Sequence, residues 1–256
     1  MFLAIDAGNS NVVFALYDHI KDQWTNQFRI ETKIPSLEAQ LSQKVPFYFL
    51  EHGISVDQLQ RIGFSSVVPE INESLIRFCE AFFGKTPHLV GPSSYGPLPI
   101  TTDRPNEIGA DLMCNAMAAY SRYSCPVIVV DFGTALTFTM VNEQGLILGV
   151  NIVPGLQTAI KALFMNTSKL PEVELKLPES ALGKNTIHAI QAGVLYGYTG
   201  LVKGMLEEIR KETGITFKVI ATGGLSSILD NLSSEFDEVD KNLTLEGLRL
   251  ITEANS

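Results

Sequence analysis

The sequence predicts an α/β fold made by internal duplication, and a segment used twice carries that prediction. Phe2-Leu3-Ala4-Ile5-Asp6-Ala7-Gly8-Asn9-Ser10-Asn11 returns in the second half as Val127-Ile128-Val129-Val130-Asp131-Phe132-Gly133-Thr134-Ala135-Leu136. In both copies an apolar run ends on Asp-x-Gly plus a small polar residue, and a second strand-like stretch follows, at 12–17 and at 137–141. The order of elements is the second observation: each half starts with strands and continues with alternating helix and strand.

The elements follow in order. After the first hairpin, Gln23 to Glu31 is strand-like, and Ser36 to Gly53 has helical apolar spacing. Ile62 to Pro69 is a β-rich run that Pro69 closes, Asn72 to Phe83 is helical, and His88-Leu89-Val90 is a short strand. Between Gly91 and Ile108 lie four prolines and little periodicity, which predicts a long loop of the kind that is often functional. It runs into a helix of small and apolar residues, Gly109 to Tyr120, which joins the halves. The second half gives the hairpin Val127 to Val141, a strand at Leu146 to Ile152, and a helix opened by Pro154-Gly155 and running to Leu163. Gly183 to Lys211 is helical, and Phe217 to Ala221 is a strand ending on Thr222-Gly223-Gly224-Leu225, which turns into another helix. The expected domains are residues 1–115 and 116–256, with the last helix packing back across the boundary.

Composition narrows the function classes. A chain of 256 residues, 45% hydrophobic and 18% charged, can bury one large core or two modest ones. A net charge of -9 with scattered Lys and Arg argues against nucleic acid as a partner. The three cysteines, Cys79, Cys114 and Cys125, have no Cys-x-x-Cys spacing and read as buried thiols of a reduced cytoplasm. The N-terminus enters a strand without a basic start, and no apolar stretch reaches the ~20 residues of a membrane helix. The expectation is a cytoplasmic protein with no signal peptide and no membrane association.

The chemistry sits in the turns. Gly at a strand end lets successive N–H groups face an anion, and Asp beside it can hold a cation or a cation-bound water. Either Asp-x-Gly alone is equally an ordinary hairpin turn; its repetition at corresponding places points to a nucleotide phosphate and its metal. Thr222-Gly223-Gly224 adds a third glycine turn without an acid, suited to a flat adenine or ribose. No Gly-x-Gly-x-x-Gly follows a strand, which disfavours a Rossmann sheet. Asp111, ahead of an apolar helix, is read two ways, as an N-cap or as a base directed at a substrate hydroxyl. Thr186 is likewise a cap or a ligand contact, and none of the four histidines falls in a motif.

Taken in order, Asp6-Ala7-Gly8-Asn9-Ser10, Ser65-Ser66-Val67-Val68-Pro69, Gly109-Ala110-Asp111, Asp131-Phe132-Gly133-Thr134-Ala135, Gly183-Lys184-Asn185-Thr186, Thr222-Gly223-Gly224-Leu225 and Leu243-Thr244-Leu245-Glu246-Gly247-Leu248 resemble the type III pantothenate kinase family over nearly the whole chain. That resemblance implies duplicated ribonuclease-H-like domains of the actin-like ATPase class, with a nucleotide cleft between them. It implies ATP phosphates at Asp6, Ala7, Gly8, Asn9, Ser10, Asn11, Val12 and Val13, and further nucleotide contacts at Thr134, Gly223 and Gly224. Asp131 would hold a monovalent cation, K⁺ or NH₄⁺, and Asp6 is a position for Mg²⁺. Pantothenate would lie at Thr102, Gly109, Ala110, Asp111, Leu112 and Thr186, with Asp111 the catalytic base, in a homodimer.

Two positions depart from the family pattern, both on the acceptor side. Leu112 stands where the family has Arg, and Thr102 where it usually has Tyr. Arg104 or a basic residue of a second subunit could supply the missing charge. Alternatively the acceptor is another small alcohol, or the chain is a nucleotide-binding regulatory homologue with little catalytic activity.

Overall fold

Phe2–Ala7 forms β1, a strand whose first four residues are wholly buried, and this burial is why it reads as a continuous apolar run. The computed structural model describes residues 1–226, 228 and 230–256. The chain divides into two compact units, residues 1–118 with 243–256, and residues 119–242.

In the first unit β1 pairs antiparallel with β2 (Asn11–Asp18), which pairs antiparallel with β3 (Gln23–Glu31). On its other side β1 pairs in parallel with β4 (Arg61–Ser66), and β4 with β5 (His88–Leu89). Helices α1 (Ile34–Glu51) and α2 (Asn72–Phe83) pack on the sheet. Leu37, Leu41, Val45 and Phe49 recur every fourth residue and form a buried stripe against Leu75, Cys79 and Phe83. After a long connection comes α3 (Ala110–Tyr123), and the unit is completed by α6 (Leu243–Ala254).

The contact of α6 with the sheet is tight. A Cβ built on Gly63 of β4 would lie 2.5 Å from Thr252 Oγ1 and 2.7 Å from Phe2 Cζ. Arg249 of α6 sits over the Tyr17 ring at 4.5 Å while pairing with Glu246 and Glu253, which ties the helix to β2 by a half-buried cation.

The second unit repeats this topology. β6 (Val127–Phe132) pairs antiparallel with β7 (Ala135–Val141), which pairs antiparallel with β8 (Ile147–Pro154). On its other edge β6 pairs in parallel with β9 (Lys218–Thr222), and β9 with β10 (Glu238–Val239). Numbered within each half, both sheets run third, second, first, fourth, fifth. Two similar α/β units with this strand order make the duplicated actin-like fold. The core joins Ile128, Val130 and Phe138 of the sheet to Val194, Leu195, Val202 and Leu206 of α5 (Thr186–Thr213), with α4 (Leu156–Asn166) beside it.

Three sequence expectations are corrected here. The helix expected after Gly224 is a turn through Ser226 followed by a 3-10 segment, Asp230–Glu235; residues 227 and 229 of that stretch lie outside the described residues. The helix expected from Gly183 starts at Thr186, because the Asn185 side chain accepts the His188 amide at 2.9 Å and so sets the first turn. Thr186 is therefore not the cap. Cys79 and Cys114 are buried thiols, but Cys125 is half-buried at the start of β6. Among the described residues no helix is long and apolar enough to cross a membrane.

Candidate active site

The turn after β1 is closed by the Gly8 amide donating to the Asn11 carbonyl at 3.0 Å. Thr32, just past β3, braces it twice: its hydroxyl donates to the Gly8 carbonyl at 2.7 Å and its amide to the Ser10 carbonyl at 3.2 Å. Asn9 and Ser10 stand exposed at the tip, while the Ala7 and Val12 side chains are committed to the core. Any contact of Ala7 or Val12 with a ligand is therefore made by backbone.

The turn after β6 is built alike. Gly133 donates to the Ala135 carbonyl at 3.0 Å, and the Thr134 carbonyl accepts from the Gly155 amide at 2.9 Å and the Thr158 hydroxyl at 2.7 Å. Parallel pairing of β9 with β6 brings Gly223 beside this turn. Gly223 has φ +92°, and a Cβ there would lie 2.5 Å from Asp131 Oδ1, so only glycine combines that backbone conformation with that approach to the carboxylate.

Register explains what flanks the two acids. Asp131 has Thr137 as its partner on β7 and Thr222 on β9. Both threonines are buried, and neither hydroxyl has a hydrogen-bond partner among the described residues. In the first unit, Asp6 has Ser65 as its parallel partner on β4, again buried with no hydrogen bond made by its hydroxyl and with the Cys114 thiol, a weak partner at best, beside it. Orphaned hydroxyls are costly inside a protein, and here they recur one strand away from each strand-end Asp. Sequence inspection missed Ser65, Thr137 and Thr222 as site residues because only strand register places them beside the acids.

Asp111 is the second residue of α3, with Gly109 ahead of the helix, so it is not the N-cap. Its Oδ1 accepts the Leu112 amide at 2.8 Å from within the first turn. Burial raises the Asp111 proton affinity above the ordinary carboxylate range, and the Leu112 amide offsets this only in part. Cys114, one turn on, is fully buried; its thiol is pushed well up by burial, then by the negative charges of Asp6 and Asp111. In the first unit Asp6 and Asp111 thus both act on the Cys114 thiol, with Ser65 beside it.

The acceptor-side positions are more dispersed. Ala110 and Leu112 are buried, and Thr102 is half-buried, its hydroxyl accepting the Arg104 amide at 3.3 Å. Arg104 is exposed and pairs with Glu107 at 3.1 Å on the surface. Thr186 opens on a cavity of about 560 Å³ in the second unit, shared with Leu163, Leu170, Lys184 and Asn185. Among the described residues no three His, Cys, Asp or Glu side chains form a metal cluster.

A family model described as type III pantothenate kinase matches residues 2–208. The type III pantothenate kinase of Syntrophobacter fumaroxidans is 42% identical over 100% of this chain and 98% of its own length. That of Myxococcus xanthus is 41% identical over 98% of this chain and 97% of its own. Among solved structures, the activator of the 2-hydroxyisocaproyl-CoA dehydratase from Clostridium difficile, with bound ADPNP, shares the fold at TM-score 0.53 and 10% identity, covering 99% of this chain and 95% of that one. Two duplicated units whose strands end in matching acidic glycine turns, and identity of this level over the full length, mean that the chain belongs to the type III pantothenate kinase family.

Proposed function

We propose that the protein transfers the γ-phosphoryl group of ATP to the primary hydroxyl of pantothenate, giving 4'-phosphopantothenate and ADP at the entry to coenzyme A. The observation that carries this reading is Asp111, a half-buried carboxylate in the first turn of α3 whose proton affinity is raised and whose charge, like that of Asp6, is felt at Cys114. As the acceptor oxygen bonds to phosphorus, its proton passes to Asp111, and the bond from the γ-phosphorus to the bridging oxygen breaks to release ADP. The backbone of residues 6–13 holds phosphates in the first unit. Thr134, Gly223 and Gly224 are the nucleotide contacts we assign in the second. Thr102, Gly109, Ala110, Leu112 and Thr186 are assigned to the acceptor.

The residues present fit the ions that such a kinase takes. Asp6 with the Ser65 hydroxyl suits Mg²⁺ arriving with the nucleotide, an ion that keeps few protein ligands and neutralises charge on the β- and γ-phosphates. Asp131 with the orphaned Thr137 and Thr222 hydroxyls offers the all-oxygen set of a monovalent cation. Potassium in ten- to hundredfold excess over its dissociation constant is expected to stabilise the protein by about 1 to 3 kcal/mol relative to Li⁺. Thermal unfolding in KCl and LiCl checks this, and the pair Thr137→Val and Thr222→Val is expected to abolish the difference.

A homodimer is part of the same reading. Ile152, Met165, Leu182 and Ile187 of the second unit are more than half exposed, as are Ile20, Phe47 and Leu50 of the first, and we assign the dimer contact to the second unit. Ile187→Asp is expected to convert a sedimenting dimer to monomer, and an unchanged sedimentation coefficient would refute this surface.

Leu112 standing where the family has Arg, with Arg104 exposed and paired to Glu107, favours, as second reading, another small alcohol as acceptor. ADP release from Mg-ATP in potassium buffer, with and without pantothenate, decides between them. Stimulation by pantothenate supports the first reading. ATP binding without stimulation removes it and directs the search to other alcohols or to a regulatory role.

A further inference from the structure

We propose that Thr32 and Thr158 are positioning residues for ATP, each holding one glycine turn from behind so that the turn presents its amides to the phosphates. The proposal rests on the assignment of both turns to the nucleotide and adds the two side chains that keep them in shape.

Strand register puts the two braces in equivalent places. Asn11 lies opposite Glu31 in the first unit, and Ala135 opposite Pro154 in the second. The next rung therefore joins Ser10 to Thr32 and Thr134 to Gly155. In each, the residue leaving the third strand donates its amide to the turn carbonyl, at 3.2 Å and 2.9 Å. Thr32 is buried and adds its hydroxyl, which donates to the Gly8 carbonyl at 2.7 Å. The second unit has no room for a side chain at that place: a Cβ on Gly155 would lie 2.2 Å from the Gly133 carbonyl oxygen and 2.6 Å from that of Thr134. The hydroxyl comes instead from Thr158, in the first turn of α4, and donates to the Thr134 carbonyl at 2.7 Å. Each turn thus carries one threonine hydroxyl, supplied from a different element in the two halves.

A carbonyl fixed on one side of a turn fixes an amide on the other, because C=O and N–H of one planar trans peptide point in opposite directions. Thr32 thereby turns the Asn9 amide away from its own buried side chain, at the exposed tip of the turn. Thr158 does the same to the Ala135 amide. Gly8 and Gly133 loosen the backbone locally, and the two hydroxyls restrict it again. Amides oriented before the nucleotide arrives need no reorganisation when charge develops on the phosphates.

Thr32→Val and Thr158→Val keep the branched shape and remove the donor, while Thr32→Ser and Thr158→Ser retain it. Steady-state kinetics with ATP and pantothenate varied in turn, isothermal titration with a non-hydrolysable ATP analogue, and thermal unfolding are measured on each. The expected result is a fall of roughly 10- to 100-fold in kcat/KM for ATP in both valine variants, weaker binding of the analogue, an unchanged KM for pantothenate, and recovery in the serine variants. Thr25→Val is the control: its hydroxyl donates to the Leu16 carbonyl at 3.3 Å in the same sheet, and its removal is expected to leave kcat/KM for ATP unchanged. Wild-type kcat/KM for ATP in both valine variants overturns the proposal and leaves the assignment of the turns standing. A fall in one variant alone overturns it for the other turn. A loss that serine does not recover, or that Thr25→Val shares together with a lower midpoint, also overturns it and makes the hydroxyls stability groups only. A wild type that binds no ATP analogue overturns the assignment of the turns itself, a result separate from unchanged valine variants.

Discussion

Asp111→Asn is expected to lower pantothenate-dependent ADP release by roughly 10²- to 10⁴-fold while leaving ATP binding intact, since the side chain keeps its shape and loses only its capacity to take a proton. The pH dependence has a definite sign. A base works when deprotonated, so activity is present above the Asp111 pKa and lost as pH falls through it. Because burial raises that pKa, the acid limb of kcat/KM lies above the range of an ordinary aspartate. Stability runs the other way: a carboxyl whose folded pKa exceeds its unfolded value binds protons more readily when folded, so ionising it costs stability as pH rises through that range. The variant, neutral at every pH, is therefore expected to unfold at a temperature no lower than wild type at pH 7. A variant with wild-type turnover would remove Asp111 from catalysis; one that lost both turnover and stability would assign it to the helix start.

The second large effect belongs to a residue with no chemistry of its own. A Cβ on Gly247 would lie 1.8 Å from the Cys114 carbonyl oxygen, 2.4 Å from its carbon and 2.8 Å from its Cα, all backbone atoms that cannot swing aside. Here α6 and α3 touch backbone to backbone, and beside the contact Thr244 Oγ1 donates to the buried Asn115 Oδ1 at 2.7 Å. Gly247→Val is expected to cost about 3 kcal/mol or more by forcing the helices apart. Since Asp111 lies one turn before Cys114, the same displacement should depress kcat in whatever protein still folds. Urea unfolding alongside kcat measures both. Thr244→Val, which removes only the hydrogen bond, is the comparison, expected to cost about 1 kcal/mol. Equal stability of Gly247→Val and wild type would mean that the helices adjust freely.

Local patterns were legible in the sequence, and distant ones were not. The apolar runs of β1 and β6, the glycine turns that end them, and helix α2 over its full length could be read directly, since each depends on neighbours within a few residues. In the sequence Thr186 reads as a cap although Asn185 performs that role, because two adjacent residues with capping side chains are hard to rank without the helix in view. The hydroxyls around Asp131 come from strands that meet it only through pairing, at 137 and at 222, and no periodicity announces a register. The closeness of Gly247 to Cys114 is a tertiary fact, visible in the sequence only as a glycine within a helix.

The return of α6 to the first unit has a consequence for biosynthesis. The ribosome releases residues 1–118 first, then the whole of the second unit, and only afterwards the helix that covers Phe2 and Gly63 and abuts Cys114. During that interval the nascent first unit leaves open the apolar surface of β1 and β4 that α6 will cover, the kind of surface that chaperones engage. The second unit, contiguous in the chain, has no such delay. Folding of the Asp111-bearing unit therefore waits on a segment that lies beyond the whole second unit in the chain, and α6 is the piece that closes it.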